Sequence, residues 1–344
     1  MNNLASRYLG LELAHPIIAS ASSLTTTVDG MRQLEDANAA AVVMASLYEA
    51  QVRAEDINYA MVTEYTAGSH PEAGTYFPEL PDYWHGVSGH LDTVRRASEA
   101  LDIPVIASLC GVSDDGWLDL AIGLEQAGAA ALELNLFALP TDFTVPGADI
   151  ERRYIDIVRH VKSQLKIPIA VKLPPFFSSI GNLVRNLESA GADGVVLFNR
   201  VFPADVDLET LSVGRRATLS SPADFHVPLA WTALLSRHFR LSIAAGLGVD
   251  SYAEVVKFLL AGADVVSTAS ALLRYGPEHM TALVAGLSKW LAESPFGSVT
   301  EIRGRLDATH IAAAETFLRT QYLHTLTDLA LRRASGRMEE VAPV

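Results

Sequence analysis

The sequence is poor in cysteine and in basic residues. Cys110 is the single cysteine among 344 residues, so the chain can form no internal disulfide and no cysteine-based metal or iron–sulfur site. Lys and Arg number 26 against 40 Asp and Glu, which leaves a formal net charge of −14. That balance opposes the basic surface with which proteins bind nucleic acids or anionic membranes.

Long apolar runs are absent as well. No 18 uninterrupted apolar residues occur, so the sequence predicts no membrane span, and its first residues, MNNLASRYLG, lack the regions of a signal peptide. Hydrophobic residues make up 49% of the chain and charged residues 19%, which is typical of a compact globular protein. We expect a soluble, cytoplasmic protein that acts on a small molecule.

Short apolar runs recur along the chain with amphipathic segments between most of them. The runs are continuous rather than alternating, which is typical of strands buried on both faces. They cover residues 16–20, 40–46, 104–109, 130–136, 168–174, 194–199, 241–246 and 264–270. Several of the intervening segments end in Ala-Gly-Ala, where the glycine can cap a helix.

Eight strands with helical crossovers predict a (β/α)8 barrel. No G-x-G-x-x-G follows the first strand, which argues against an open dinucleotide-binding sheet. Two insertions, 47–90 and 200–228, are too long for ordinary loops and leave the carboxyl ends of strands, where barrel active sites lie. We predict a barrel over residues 1–295 and a C-terminal helical extension over 296–344.

The predicted strand ends supply the candidate binding residues. They are Ser20, Ser46, Asn135, Lys172, Asn199, Gly246, Gly248 and Ser270. Lys172 is the most informative, because a lysine between buried neighbours needs an anionic or strongly accepting partner. It can be a Schiff-base nucleophile, a structural ion pair or a cation that faces an electron-rich cofactor, and the last of these receives the most weight.

Small residues at the ends of strands seven and eight let backbone N–H groups approach a phosphate, as is common in barrels. The alternative is that Gly246 and Gly248 only turn the chain. A phosphate site beside a lysine on strand five suggests flavin mononucleotide (FMN) in the barrel mouth.

Four stretches resemble dihydroorotate dehydrogenases of the soluble branch. They are ELNL at 133–136, VKLPPFF at 171–177, the strand end at Asn199 and ALLRYGP at 271–277. Because the first predicted strand begins close to Met1, we expect no N-terminal extension like that of the membrane-attached branch. The resemblance, which runs over about residues 5–290, implies a homodimer and FMN across the barrel mouth. It implies flavin contacts from Ser20, Ala21, Ser46, Asn135, Lys172 and Asn199, and phosphate contacts from Gly246, Gly248, Ala269 and Ser270.

The substrate side departs from that family. The family motif N-[LV]-S-[CS]-P-N carries the catalytic base at its fourth position, where this chain has Ala138 or Leu139. A family lysine at the end of strand two is replaced by Ala45, and a substrate-gripping asparagine by Tyr76. Loss of a general base lowers a rate by about 10²–10⁴. We therefore expect a different substrate or weak activity on dihydroorotate.

Other residues can be weighed as substitutes. Asp142 follows the missing position, but a lone loop aspartate more often caps a turn. Tyr48, Tyr76 and His85 lie in the first insertion, and such aromatic residues more often pack their loop. Cys110 is more often a buried thiol than a flavin contact.

Arg200 can bind an acidic substrate or form a surface ion pair.

The first hypothesis for the function is an FMN-dependent oxidoreductase that acts on CH–CH groups, as dihydroorotate dehydrogenase does in pyrimidine biosynthesis. The second is a catalytically silent flavoprotein that acts through a partner, and the third is a Schiff-base lyase or aldolase that uses Lys172. No metal site is predicted.

Overall fold

Eight parallel strands close into a barrel, which confirms the predicted fold class. The computed structural model describes residues 3–48, 86–111, 117–137, 141–200, 204–215, 218–307, 322–328 and 330–331. In chain order the barrel strands are β3 (Ile17–Ala19), β4 (Val42–Val43) with β5 (Leu47–Tyr48), β6 (Val105–Cys110), β7 (Ala131–Asn135), β8 (Ile169–Leu173), β9 (Gly194–Leu197), β12 (Ser242–Gly246) and β13 (Val265–Thr268). Both β4 and β5 pair with β6, and β13 pairs with β3, which closes the ring.

A hairpin of β1 (Ser6–Tyr8) and β2 (Leu11–Leu13) covers the amino-terminal end of the barrel, a feature that the sequence reading missed. Ser6 Oγ donates to the carbonyl of Asp264, and Ser242 Oγ accepts from the backbone N–H of Leu9. The hairpin's buried Tyr8, Leu9 and Leu13 belong to the same apolar cluster as the inward residues Ile18, Val43, Ile106, Ala131, Ala170, Val196, Ala244 and Val265. Because side chains fill the amino-terminal end of the barrel, we expect a ligand to bind at the carboxyl end.

Amphipathic helices cover the outside of the barrel. They are α1 (Val28–Asp36), α2 (Val87–Ala100), α3 (Trp117–Gln126), α4 (Gly147–Lys162), α5 (Ile180–Ala190), α6 (His226–Leu235), α7 (Tyr252–Ala261), α8 (Ser270–Tyr275) and α9 (His279–Glu293). Helix α5 shows the pattern, since its buried Ile180, Leu183, Val184 and Leu187 follow the i, i+3, i+4, i+7 spacing. The predicted glycine caps are present, with φ of 102° at Gly191 and 112° at Gly262.

Several predicted boundaries were wrong. The first insertion ends before α2, and its residues 49–85 lie outside the described part of the chain. The second contains a hairpin of β10 (Ala204–Asp207) and β11 (Ser212–Arg215), a 3-10 turn at Pro222–Asp224 and the first residues of α6. Asn199 and Ser270 lie beyond their strands rather than in them, because ladder pairing stops where the chain turns across the barrel mouth.

Residues 296–307 pack against the barrel. Val299 and Ile302 of α10 (Val299–Ile302) are buried, and the backbone N–H of Gly304 donates to Leu259 at 2.9 Å. Residues 322–328 are helical and exposed. The division of the chain at residue 295 therefore stays a prediction, although the barrel's packing continues into the segment that was assigned to the extension.

Candidate active site

The carboxyl ends of the strands surround a cavity of about 830 Å³. This volume lies within the roughly 300–1,000 Å³ of small-molecule sites. All ten residues predicted to bind a cofactor line it: Ser20, Ala21, Ser46, Asn135, Lys172, Asn199, Gly246, Gly248, Ala269 and Ser270. Arg200 lines it too. The structure thus brings these residues together, and their roles stay predictions.

Lys172 forms a buried ion pair with Glu133. The two residues lie on the neighbouring strands β8 and β7, where Lys172 is in register with Asn135, two residues after Glu133. Strand alternation directs Glu133 and Asn135 to the same face. Lys172 Nζ lies 3.2 Å from Glu133 Oε1, and the side chains are 10% and 4% exposed. The lysine therefore has an anionic partner at the base of the cavity.

Glu133 was missed by the sequence reading. The sequence does carry a signal for Glu133, because it is the one charged residue in the largely apolar run AALELNL. Its influence reaches the barrel floor: burial raises the pKa of Tyr8 well above 10, and the negative charge of Glu133 raises it further. Glu133 is thus a buried charge between the floor of the barrel and the cavity.

Two amides meet above this ion pair. Asn199 Nδ2 donates to Asn135 Oδ1 at 2.8 Å, which fixes the orientation of both side chains. No other described residue bonds the amide N–H groups of Asn135 or the side-chain carbonyl oxygen of Asn199. Ser46 and Ser108 approach each other at 2.8 Å on the neighbouring wall. Ala45, where the resembling family has a lysine, also lines the cavity.

The wall formed after β12 and β13 carries backbone donors. Gly248, Ala269 and Ser270 all line the cavity, and their N–H groups donate to none of the residues that the structure describes. Ser270 Oγ accepts from the N–H of Ser220 at 2.9 Å and from its hydroxyl at 2.8 Å, and the Ser270 hydroxyl proton has no acceptor among the described residues. Unpaired backbone donors that line one cavity match the chemistry of a phosphate group.

Packing supplies a second reason for the two glycines. Gly248 has a φ of 69°, and a Cβ there would lie 2.7 Å from the backbone nitrogen of Phe225. A Cβ on Gly246 would lie 2.7 Å from Ser267 Oγ. The chain-turning alternative therefore has a physical basis of its own, and it is compatible with phosphate binding.

Arg200 forms an ion pair, which is one of its two predicted alternatives, and binding of an acidic substrate stays a prediction. Its side chain is 21% exposed, lies 3.4 Å from Asp224 Oδ2 and donates to Thr218 Oγ1 at 2.9 Å. These contacts hold the guanidinium at the cavity wall, where a planar donor fork can meet an acidic ligand.

Asp142 does not line the cavity. Its Oδ1 accepts from the hydroxyl of Thr144 at 2.7 Å and from the backbone N–H of Thr144 at 2.9 Å. These bonds, the hydroxyl's first, lower the pKa of this exposed carboxyl. The arrangement is that of a turn-capping aspartate.

The remaining candidate residues differ in their position relative to the cavity. Tyr48 lines the cavity at 49% exposure, whereas Cys110 is buried outside the lining. Tyr76 and His85 lie outside the described residues, as do both positions at which the base is missing.

His90 is a cavity residue that the sequence reading did not identify. It lies in the first turns of α2 and lines the cavity with Thr93. Its Nε2 is buried and has no hydrogen-bond partner among the described residues. Burial lowers the pKa of His90 from 6.5 to about 4, so its ring is neutral near pH 7. No sequence pattern marks it, because the chain separating it from β5 is long.

The described part of the chain contains no cluster of three His, Cys, Asp or Glu side chains that could hold a metal ion. It also contains no helix that is both long and apolar enough to cross a bilayer.

Known proteins provide an independent comparison. No protein-family model matches the chain. The chain is 33% identical over 219 residues to the Aeropyrum pernix protein named "Putative dihydroorotate dehydrogenase A (fumarate)", which covers 62% of this chain and 69% of that protein. It is 30% identical over 226 residues to the catalytic subunit of Bacillus pumilus dihydroorotate dehydrogenase B (NAD(+)), covering 64% and 72%. The corresponding Thermoplasma volcanium subunit is 25% identical over 314 residues, covering 88% and 98%.

Proposed function

The chain belongs to the dihydroorotate dehydrogenase family, and from this premise we propose that it binds FMN in the barrel mouth and oxidises a saturated CH–CH bond of a small carbonyl compound. One observation carries the proposal. A single cavity combines backbone donors suited to a phosphate with a buried ammonium group suited to an electron-rich ring.

The residues present fit FMN at two points. The N–H groups of Gly248, Ala269 and Ser270 would hold its phosphate, since they have no other acceptor among the described residues. Lys172 would lie beside the N1/C2 edge of the ring, where a positive charge favours the anionic reduced state. When bound, the flavin would supply the acceptor for a hydride.

The protein's own groups position the substrate. Asn135 and Asn199 would bond its carbonyl and amide groups, because their mutual hydrogen bond leaves one amide's donors and the other's acceptor free. Arg200 would bind an acidic group at the cavity wall. With Ala45 in place of a lysine and no base at 138 or 139, we expect dihydroorotate to react about 10²–10⁴ more slowly than in a conventional family member.

The ion pair argues against the Schiff-base alternative. A lysine nucleophile must be unprotonated, whereas Glu133 stabilises the charged ammonium form of Lys172.

One observation supports the alternative of a catalytically silent flavoprotein. The β10–β11 hairpin exposes Val206, Leu208 and Leu211 to 62%, 81% and 83%, as a partner-binding element can do. We also propose that the protein is a homodimer and is located in the cytoplasm. Light scattering of the purified protein tests the dimer.

An absorbance spectrum tests the function. We expect the purified protein, or protein reconstituted with FMN, to show flavin bands that anaerobic dihydroorotate bleaches slowly. Lys172→Met should weaken FMN binding, while Lys289→Met, which changes a side chain 77% exposed, should not. Colourless protein that cannot take up FMN would refute the proposal. If dihydroorotate does not bleach the bound flavin, the result favours the silent flavoprotein. Bleaching at the rate of a conventional family member would contradict the slow reaction expected from the substrate-side replacements.

A further inference from the structure

Oxidation of a CH–CH bond beside a carbonyl removes a proton as well as a hydride. The family motif has its base in the loop after β7, where this chain has Ala138 or Leu139. Neither side chain accepts a proton. If the chain performs the reaction proposed above, the proton acceptor must come from elsewhere in the cavity.

The described lining residues offer few acceptors. Lys172 is paired as an ammonium with Glu133, and Arg200 keeps its proton at any physiological pH. Tyr48 carries a phenol hydroxyl, which is a far weaker proton acceptor than an imidazole. The lining contains no Asp, Glu or Cys among these residues, so His90 is the one titratable side chain there that is unprotonated near neutral pH.

The geometry of His90 points the same way. Its backbone N–H donates to the carbonyl of Gly86 at 2.9 Å, so the residue is part of α2 and not of a free loop. The residue lines the cavity beside Thr93, and no described residue bonds its buried Nε2. A neutral imidazole always presents one acceptor nitrogen.

We propose that His90 is the proton acceptor of this active site, in the role that the family assigns to a residue in the loop after β7. The proposal rests on the proposed function. As the substrate is oxidised, one C–H bond breaks and its proton passes to the His90 ring, which becomes an imidazolium. The neighbouring C–H bond breaks as a hydride, for which FMN, when bound, would supply the acceptor, and a C=C bond forms between the two carbons. The proton then leaves to solvent.

The low pKa of His90 has a kinetic consequence. A ring that is neutral at pH 7 is available as a base, but a base with a pKa near 4 is a weak one. Proton removal should therefore be slower than by a thiolate, in agreement with the expected slow bleaching by dihydroorotate.

Hydrogen exchange tests the proton step without the redox step. Dihydroorotate carries hydrogens on the carbon next to a ring carbonyl, and their loss into D2O is followed by proton NMR. The measurement is made anaerobically with flavin-free protein and again with dithionite-reduced protein, so no oxidation occurs. We expect exchange by the wild type, and exchange about 10²–10⁴ slower by His90→Gln. His160→Gln is the matched control, since His160 is exposed on α4.

A second readout is independent of turnover. In protein labelled with 15N-histidine, orotate should shift the ring resonances of His90 and leave those of His160 unchanged. Circular dichroism and a second variant, His90→Asn, separate loss of the base from loss of folding. Absent exchange by the wild type, undiminished exchange by the folded variants or an unperturbed His90 ring would each overturn the proposal. Failure of the proposed function appears separately, as colourless protein.

Discussion

Replacing Glu133 by leucine should destabilise the protein strongly, because Lys172 would keep a buried charge without its partner. The lysine and glutamate side chains are 10% and 4% exposed, and their charged atoms lie 3.2 Å apart. Removing one member of such a buried pair costs about 3–5 kcal/mol. At about 1.4 kcal/mol for each factor of ten, the unfolding equilibrium constant should rise between about 10² and 10⁴-fold.

Removing both charges should reverse most of this loss. In the double variant Glu133→Leu with Lys172→Met, two apolar side chains fill the space, and such replacements are often neutral or stabilising. We therefore expect a stability closer to that of the wild type than to that of the Glu133→Leu variant. Urea unfolding of flavin-free protein, followed by circular dichroism, measures all four corners of the cycle.

An exposed pair of the same composition is the control. Lys289 Nζ and Glu293 Oε1 lie 4.0 Å apart on α9, with side chains 77% and 68% exposed. The same cycle there should give a coupling energy of about 0.5 kcal/mol or less. A coupling energy below about 1 kcal/mol for Glu133 and Lys172, or a Glu133→Leu variant as stable as the wild type, would refute the assignment of a buried, mutually dependent pair.

Four further outcomes are expected. In the unfolded chain a histidine takes up its proton near pH 6.5, whereas His90 in the folded protein does so only near pH 4. The stabilising contribution of His90 is therefore complete above pH 6.5 and is lost as the pH falls through 4. The loss in the free energy of unfolding is on the order of 3 kcal/mol. In the His90→Phe variant, the urea concentration at the unfolding midpoint should therefore depend less on pH over this range. Gly248→Ala should destabilise by more than about 1 kcal/mol and release FMN, because φ is 69° and the backbone of Phe225 leaves no room for a Cβ. Gly181→Ala on α5, with no atom within 4 Å of the added methyl, should stabilise by up to about 1 kcal/mol in thermal melts. Asp142→Asn should leave the initial rate of flavin bleaching within about twofold, and a loss like that of His90→Gln would return Asp142 to the site.

The barrel and most of its helices were readable from the sequence because both follow local patterns. Strands buried on both faces have a continuous apolar run, as in Val105–Cys110, and amphipathic helices such as Ile180–Ala190 repeat every three to four residues. The N-terminal hairpin was missed, since two strands of three residues each are too short to show a period. The strand ends were placed a few residues too late at Asn199 and Ser270, because pairing with neighbouring strands decides where a strand stops.

The sequence by itself determined the fold class, the set of residues that surround the barrel mouth and the absence of a proton acceptor at Ala138 and Leu139, because each depends on residue type at a known place in a repeating pattern. Only the tertiary structure decided that Glu133 is the partner of Lys172, and that His90 reaches the same cavity. Glu133 lies 39 residues from Lys172 along the chain, and His90 lies on a helix after a long insertion. Contacts between residues so far apart arise from barrel closure and strand register, which no local pattern encodes.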